Sequence, residues 1–393
     1  MRAHIKDLIA KRESDLPKTE FEEIMRVAAE DKSVVSLGPG EPDFDTPKNI
    51  RESTKRSIDK GRTHYSTTNG IQELREEISR KLQKRNGFNA DPDDEIIVTS
   101  GSSEALFLAS MVLIEPNDKV LIPNPGYVDY IPLTDLMQGS PVSVKLSHEN
   151  NFDYDIEQVK KQIGDKTHVM IINSPSNPTG RVMKRKNLEE IADIVTEHNM
   201  IVFSDEAYED FTYGGAKHMS LASLNGMHKR VMSFFTFSKS YAMAGYRVGY
   251  AAGPGEVIKA MSKLRLYSAL SSPVFVQDAA VEALRGPQDE IERMKREYER
   301  RGKMMHRRLQ EMGSWFVCDE PEGAFYMFPN VKEFGMTSTR LSHMLLEKAK
   351  VLVVPGTEFG NFGEGYIRMS YATSYEKIQE AMDRIEAWLR NFK

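Results

Sequence analysis

Between residues 95 and 253 the chain alternates short, nearly continuous apolar runs with longer stretches whose apolar residues recur at helical spacing. The runs are EIIVTS (95–100), KVLIPN (119–124), THVMIINS (167–174), MIVFSDEAY (200–208), RVMSFFTFS (230–238) and RVGYAAG (247–253). SSEALFLASMVLI (102–114) and NLEEIADIVTEHN (187–199) are helical patterns among them. A strand that is apolar on both faces must be covered on both faces. The alternation therefore predicts an α/β fold, a mostly parallel central sheet with flanking helices. Such a sheet places ligands at the carboxyl ends of its strands.

Outside this region the texture changes. TEFEEIMRVAAEDK (19–32) predicts a short amphipathic helix before the Gly/Pro-rich loop LGPGEPDFDTP (37–47). QDEIERMKREYERRGKMMHRRLQEM (288–312) predicts a long charged helix. Strand candidates GAFYMFPNV (323–331) and GYIRMSYA (365–372) follow, then a closing helix from about Tyr375. The expected organisation is a large domain over 48–286 and a smaller, discontinuous α/β domain from 1–47 and 287–393.

Several function classes lose their warrant. The 53 Lys+Arg against 58 Asp+Glu give a net charge of −5, without the basic excess of a general nucleic-acid binder. Cys318 is the single cysteine, so neither a disulfide framework nor a cysteine metal cluster is expected. ALFLASMVLI (105–114) is short of the roughly 20 apolar residues that span a bilayer. The charged start MRAHIKDLIAKRESD lacks the apolar centre of a signal peptide. A cytoplasmic protein without membrane or nucleic-acid partners and without a metal is expected. The usual nucleotide-binding, zinc-protease and serine-hydrolase motifs do not occur.

Three strand ends carry the chemistry. In SDEAY, Asp205 finishes a buried strand with Tyr208 three residues on. Such an acid either caps a helix or faces a cation. In TSGSSEA (99–105), Ser102 and Ser103 open a helix after a glycine, as an ordinary capping box or as a phosphate cradle of backbone N–H groups. In TFSKSYAMAGYR (236–247), Thr236, Ser238 and Arg247 suit a phosphate, and Lys239 is a solvated strand end or an amine nucleophile. One cofactor uses all of them together. Pyridoxal 5′-phosphate has a phosphate, a ring nitrogen to keep protonated, a phenolate and an aldehyde.

At this point the chain resembles a fold-type I pyridoxal-phosphate transferase, a class I aminotransferase of the aspartate/aromatic group. The resemblance runs through GEPDFDTP (40–47), HYSTTNGIQELR (64–75), PNPGY (123–127), NSPSNPTG (173–180), SDEAY, SKSYAMAGYRVG (238–249) and YIRMS (366–370). It implies that Lys239 is the Schiff-base lysine and general acid/base, and that Asp205 keeps the ring nitrogen protonated. Tyr208 and Asn177 would bond the phenolate oxygen, and Tyr127 would stack on the ring. Ser102, Ser103, Thr236, Ser238 and Arg247 would hold the phosphate, joined by Tyr65 from the neighbouring subunit of a homodimer. Arg368 would fork onto the substrate α-carboxylate, with Gly38 and Asn177 beside it. Cis peptides are expected at Asn124–Pro125 and Asn177–Pro178.

The implied reaction is ping-pong transfer of an amino group from an L-amino acid to a 2-oxo acid, with 2-oxoglutarate the expected acceptor. A carbon–sulfur lyase or an aminocyclopropane-type synthase would share Lys239, Asp205 and Arg368, and a cofactor-binding regulator is a third class. Some aspartate-specific relatives place a lysine where this chain has Ser103, which favours an aspartate/aromatic/alanine range over dedicated aspartate use. Lys18 or Thr19 would be the substitute anchor.

Overall fold

A computed structural model describes residues 5–14, 16, 25–26 and 30–392. The amphipathic segment at 19–32 lies largely, and Lys18 and Thr19 lie wholly, outside them.

The strands in chain order are β1 (Val35–Ser36), β2 (Ile96–Thr99), β3 (Lys119–Asn124), β4 (Ser140–Lys145), β5 (Thr167–Asn173) and β6 (Ile201–Asp205). They continue as β7 (Val231–Thr236), β8 (Gly249–Ala252), β9 (Tyr326–Met327), β10 (Val351–Leu352), β11 (Val354–Pro355) and β12 (Ile367–Ser370). Seven of them form the central sheet in the order β2-β8-β7-β6-β5-β3-β4. All neighbours pair in parallel except β8, which is antiparallel to both β2 and β7. The expected mostly parallel sheet is present, with one strand, β4, that the apolar-run pattern did not predict. SPVSVK is an edge strand and only part-buried, so it lacks a continuous apolar run.

Alternate residues of the sheet feed two separate cores. Val98, Leu121, Met170, Ile172, Val202 and Phe235 pack on one face. Ile97, Val120, Ile122, Ile171, Phe203 and Phe234 pack on the other. Burial on both faces explains why these strands read as continuous apolar runs. A third apolar cluster gathers Val35 and Leu37 with Met294, Tyr298, Phe325, Tyr326, Ile367, Met369 and Ile385, and takes Tyr208 and Phe211 from the sheet side. It forms around the long helix Asp289–Glu311, the closing helix Tyr375–Arg390 and the small sheet β11-β12-β9.

The antiparallel β8 positions the chemistry. β7 runs into the short helix Phe237–Ser240, and the chain then returns along β7 as β8. Residues 237–248 are therefore confined to the carboxyl end of β7, which sets Lys239 and Arg247 at the same sheet edge as Asp205. Gly249 faces both Thr99 and Thr236 across the strands. A Cβ there would lie 2.7 Å from Gly101 C, Ser102 N and Phe235 O, so a side chain would push apart the two strand ends that carry the hydroxyl groups. Both expected cis peptides occur, together with a third at Ser174–Pro175. Among the described residues no helix is long and apolar enough to cross a membrane.

Candidate active site

Asp205 sits at the carboxyl end of β6, opposite Asn173 of β5, and is only 5% exposed. Its carboxylate receives Tyr130 Oη–H at 2.7 Å and the Ala207 backbone N–H at 3.2 Å. The second bond is the local cap expected of an aspartate at a strand end, and Tyr130 holds the other oxygen. Even with both donors, burial pushes the Asp205 carboxyl up to about 6. A buried carboxylate with so little compensation is poised for a cationic partner.

Lys239 follows β7 on the first turn of Phe237–Ser240, whose N-cap is Thr236. Its Nζ does not reach into solvent but donates to Gly40 O at 2.6 Å. Lost hydration, and then the Arg368 charge, push the amine down to about 8. The lysine thus holds more of its nucleophilic, neutral form than a surface lysine does.

Between these groups lies a cleft with about 600 Å³ of atom-free space, partly open to solvent, within the roughly 300–1,000 Å³ typical of small-molecule sites. Ser102, Ser103, Tyr127, Asn177, Asp205, Tyr208, Thr236, Ser238, Lys239 and Arg247 all line it. At one end the N-terminus of the Ser102–Leu113 helix meets Thr236, Ser238 and the Arg247 guanidinium. Gly101, at φ +83°, passes so close that a Cβ would lie 2.7 Å from Arg247 Nη2. Helix N–H groups, hydroxyls and a guanidinium converging there form an anion cradle.

Behind the lining residue Asn177 stands Arg368 on β12, 5% exposed. Nη1 donates to Asn177 Oδ1 at 2.9 Å and Nη2 to Gly38 O at 2.6 Å. Nε is buried without a hydrogen-bond partner among the described residues. This is no surface salt bridge. A buried guanidinium with a spare donor beside a lysine and a cleft is built to receive an anion. The residues present fit pyridoxal 5′-phosphate plus an amino-acid carboxylate: one cradle for the phosphate, one acid and one amine lining the same cleft, and one guanidinium behind Asn177.

Of the expected site residues, Arg368 and Gly38 adjoin the cleft through Asn177 without lining it, and Tyr65 is not joined to it. Tyr65 is 83% exposed and does not line this cleft. Three further residues matter that sequence reasoning did not single out. Tyr130 holds Asp205. Asn173 donates from Nδ2 to Asp205 O and accepts the Asn177 N–H on Oδ1, tying the turn after β5 to β6. Tyr326 Oη lies 2.6 Å from Tyr208 Oη. Asn173 stood within the NSPSNPTG stretch and Tyr326 on a strand candidate, while Tyr130 lay three residues past PNPGY. Their partners, however, are contacts no spacing rule reveals.

The sequence model of the family described as "Aminotransferase class I and II" matches residues 32–385. An aspartate aminotransferase of Pyrococcus abyssi is 47% identical over 95% of this chain and 96% of its own. Aromatic-amino-acid aminotransferase 2 of Thermococcus litoralis is 45% identical over the same shares. The crystal structure of an aromatic aminotransferase from Pyrococcus horikoshii superposes with a TM-score of 0.89 at 46% identity, covering 94% of this chain and 99% of that one.

Proposed function

The chain belongs to the class I and II aminotransferases and uses pyridoxal 5′-phosphate, and on that premise we propose that it moves an amino group between L-amino acids of the aspartate/aromatic/alanine range and a 2-oxo acid, with 2-oxoglutarate the principal acceptor. The observation that carries the substrate side is the buried Arg368, which bonds the cleft residue Asn177 and whose Nε has no hydrogen-bond partner among the described residues.

When bound, the cofactor supplies an aldehyde that carries the amino group and a ring that takes up the electrons released at the substrate α-carbon. Ser102, Ser103, Thr236, Ser238 and Arg247 anchor its phosphate. Asp205, uncomfortable as an isolated anion, holds a proton on the ring nitrogen. Tyr208 and Asn177 donate to the ring oxygen, and Tyr127 covers one ring face. Arg368, flanked by Asn177 and Gly38, grips the α-carboxylate and so fixes the α-carbon over the amine. Lys239 Nζ, its pKa pushed down to about 8, would be the amine that holds the cofactor and the base that moves the proton at the substrate α-carbon. Both half-reactions use the same groups, giving ping-pong kinetics.

The wall beside Tyr127 argues against dedicated aspartate use. Ser103 and Tyr127 lie against Asp129, whose burial raises its carboxyl pKa. Among the described residues that wall offers no cation, so the second carboxylate of aspartate or 2-oxoglutarate would be met elsewhere in the site. Residues 1–47 and 287–393 act as a smaller domain that closes on the substrate. The enzyme is a cytoplasmic homodimer in which Tyr65, exposed on its own chain, completes the partner's phosphate site. Phe107, Met111 and Tyr267, also exposed, are apolar surface available to such an interface.

Borohydride reduction of the holoenzyme followed by peptide mapping tests the reading. The label is expected on Lys239, and amino acid alone should release 2-oxo acid stoichiometrically with sites. A label elsewhere, or release of ammonia in place of stoichiometric transfer, would refute it. Screening amino acids in that half-reaction ranks the donors.

A further inference from the structure

Tyr326 touches three parts of the cleft at once. On β9 it stands opposite Ser370 of β12, two residues from Arg368 and on the same strand face. Its ring lies under the Arg368 guanidinium, 4.5 Å from Cζ to the centroid. Its hydroxyl meets Tyr208 Oη at 2.6 Å in a fully buried contact. The same hydroxyl is walled in by Gly40, where a Cβ would lie 2.3 Å away, and Gly40 O is the acceptor of Lys239 Nζ.

We propose that Tyr326 is a positioning residue for the transfer reaction, with separable roles for its two halves: the hydroxyl orients Tyr208 toward the cofactor ring, and the ring seats the carboxylate-binding Arg368. The proposal rests on the aminotransferase reading above. A phenol has one proton. When Tyr208 directs its proton to the cofactor's ring oxygen, the short contact with Tyr326 survives only if Tyr326 is the donor. Tyr208 then accepts one hydrogen bond while giving another, which makes it a stronger donor. A donor aimed at that oxygen favours the state in which the oxygen carries full negative charge, so the pH-dependent visible band of the bound cofactor titrates at lower pH. The ring acts on Arg368 through the cation–π contact alone.

Two variants of the holoenzyme separate these roles. Tyr326→Phe keeps the ring and removes the hydroxyl. The midpoint of the visible band is expected to rise by about half to one pH unit, with KM for the amino acid changed less than about twofold. Tyr326→Leu removes both, and is expected to raise KM for both substrates by about 3- to 30-fold as well. In a Tyr208→Phe background, Tyr326→Phe should move the midpoint no further, because its effect passes through Tyr208. An ordinary wild-type band with an unmoved midpoint in Tyr326→Phe overturns the proposal and leaves the aminotransferase reading intact. So does a Tyr326→Phe variant whose KM rises as far as that of Tyr326→Leu. A wild-type protein that gives no visible band with pyridoxal phosphate overturns the reading itself, and this proposal with it.

Discussion

Replacing Arg368 isolates what its guanidinium does, because three nitrogen atoms have distinct surroundings. Nη1 and Nη2 are held by Asn177 Oδ1 and Gly38 O, and Nε is buried with no partner among the described residues. Arg368→Lys keeps the charge but offers a point donor in place of a planar fork, and leaves Asn177 Oδ1 or Gly38 O without its N–H. The loss of one charge-assisted hydrogen bond to the substrate carboxylate costs about 1.5–3 kcal/mol, which is about 10- to 150-fold in KM. Arg368→Gln removes the charge and leaves a buried carboxylate unpaired, a cost of about 3–5 kcal/mol, or roughly 10²- to 5 × 10³-fold in kcat/KM. Both substrates share the α-carboxylate, so stopped-flow half-reactions should show the amino acid and the 2-oxo acid weakened together. A second readout follows from charge. Arg368 is the main charged group pushing the Lys239 amine down to about 8, so Arg368→Gln should raise that pKa, read as a shift to higher pH in the rate of amine modification of apo-protein. Unchanged constants for both substrates would show the guanidinium to be structural. A loss confined to one substrate would place it on the side-chain pocket.

Two other predictions test the acid and the shared site. The folded pKa of Asp205, about 6, lies above its ordinary 3.8, so its stabilising contribution is complete below pH 3.8 and is lost as pH rises through 6. Relative to Asp205→Asn, wild-type apo-protein should lose up to about 3 kcal/mol of unfolding free energy between pH 4 and 6.5. Parallel pH profiles in urea titrations of the two apo-proteins would contradict this. For the dimer, mixing inactive Lys239→Ala subunits with Tyr65→Ala subunits should restore activity to about a quarter of wild-type sites, because each hybrid dimer regains one site with both residues intact. No recovery after subunit exchange, verified by mass, would mean Tyr65 does not cross between chains.

The sheet was legible because its strands are buried on both faces. KVLIPN predicts β3 over 119–124, which is its observed range, and the other apolar runs match their strands within a few residues. Legibility failed where burial is one-sided or the element is very short. β4 carries Pro141 and two serines at a sheet edge, and β1, β10 and β11 are two residues each, held by contacts from distant segments. GAFYMFPNV shows the reverse error: nine residues read as strand, but only Tyr326–Met327 forms one, with isolated bridges at Gly323 and Asn330, since Ala324 takes a positive φ of 56° and Pro329 follows closely. Positive φ at a non-glycine residue is imposed by tertiary surroundings and leaves no trace in local spacing.

The cleft divides along the same line. Ten of the eleven residues assigned to the cofactor come together because each lies at a strand end or in the short segment that joins it to the next element. Topology alone delivers those positions to one sheet edge. The groups that tune them come from elsewhere in the chain: Tyr130 from a helix 75 residues before Asp205, Tyr326 from a strand 118 residues after Tyr208, and Gly40 199 residues before Lys239. No local pattern demands a tyrosine at 130 or 326, since an aromatic residue there reads as core, and both are indeed buried in apolar clusters. What marks them is the polar atom: a phenol that is buried must find a partner. The question to put to a buried tyrosine near a strand end is therefore where its hydroxyl goes. Here the two answers are the Asp205 carboxylate and the Tyr208 phenol, the groups proposed above for the ring nitrogen and the ring oxygen, and neither hydroxyl belongs to the catalytic motifs.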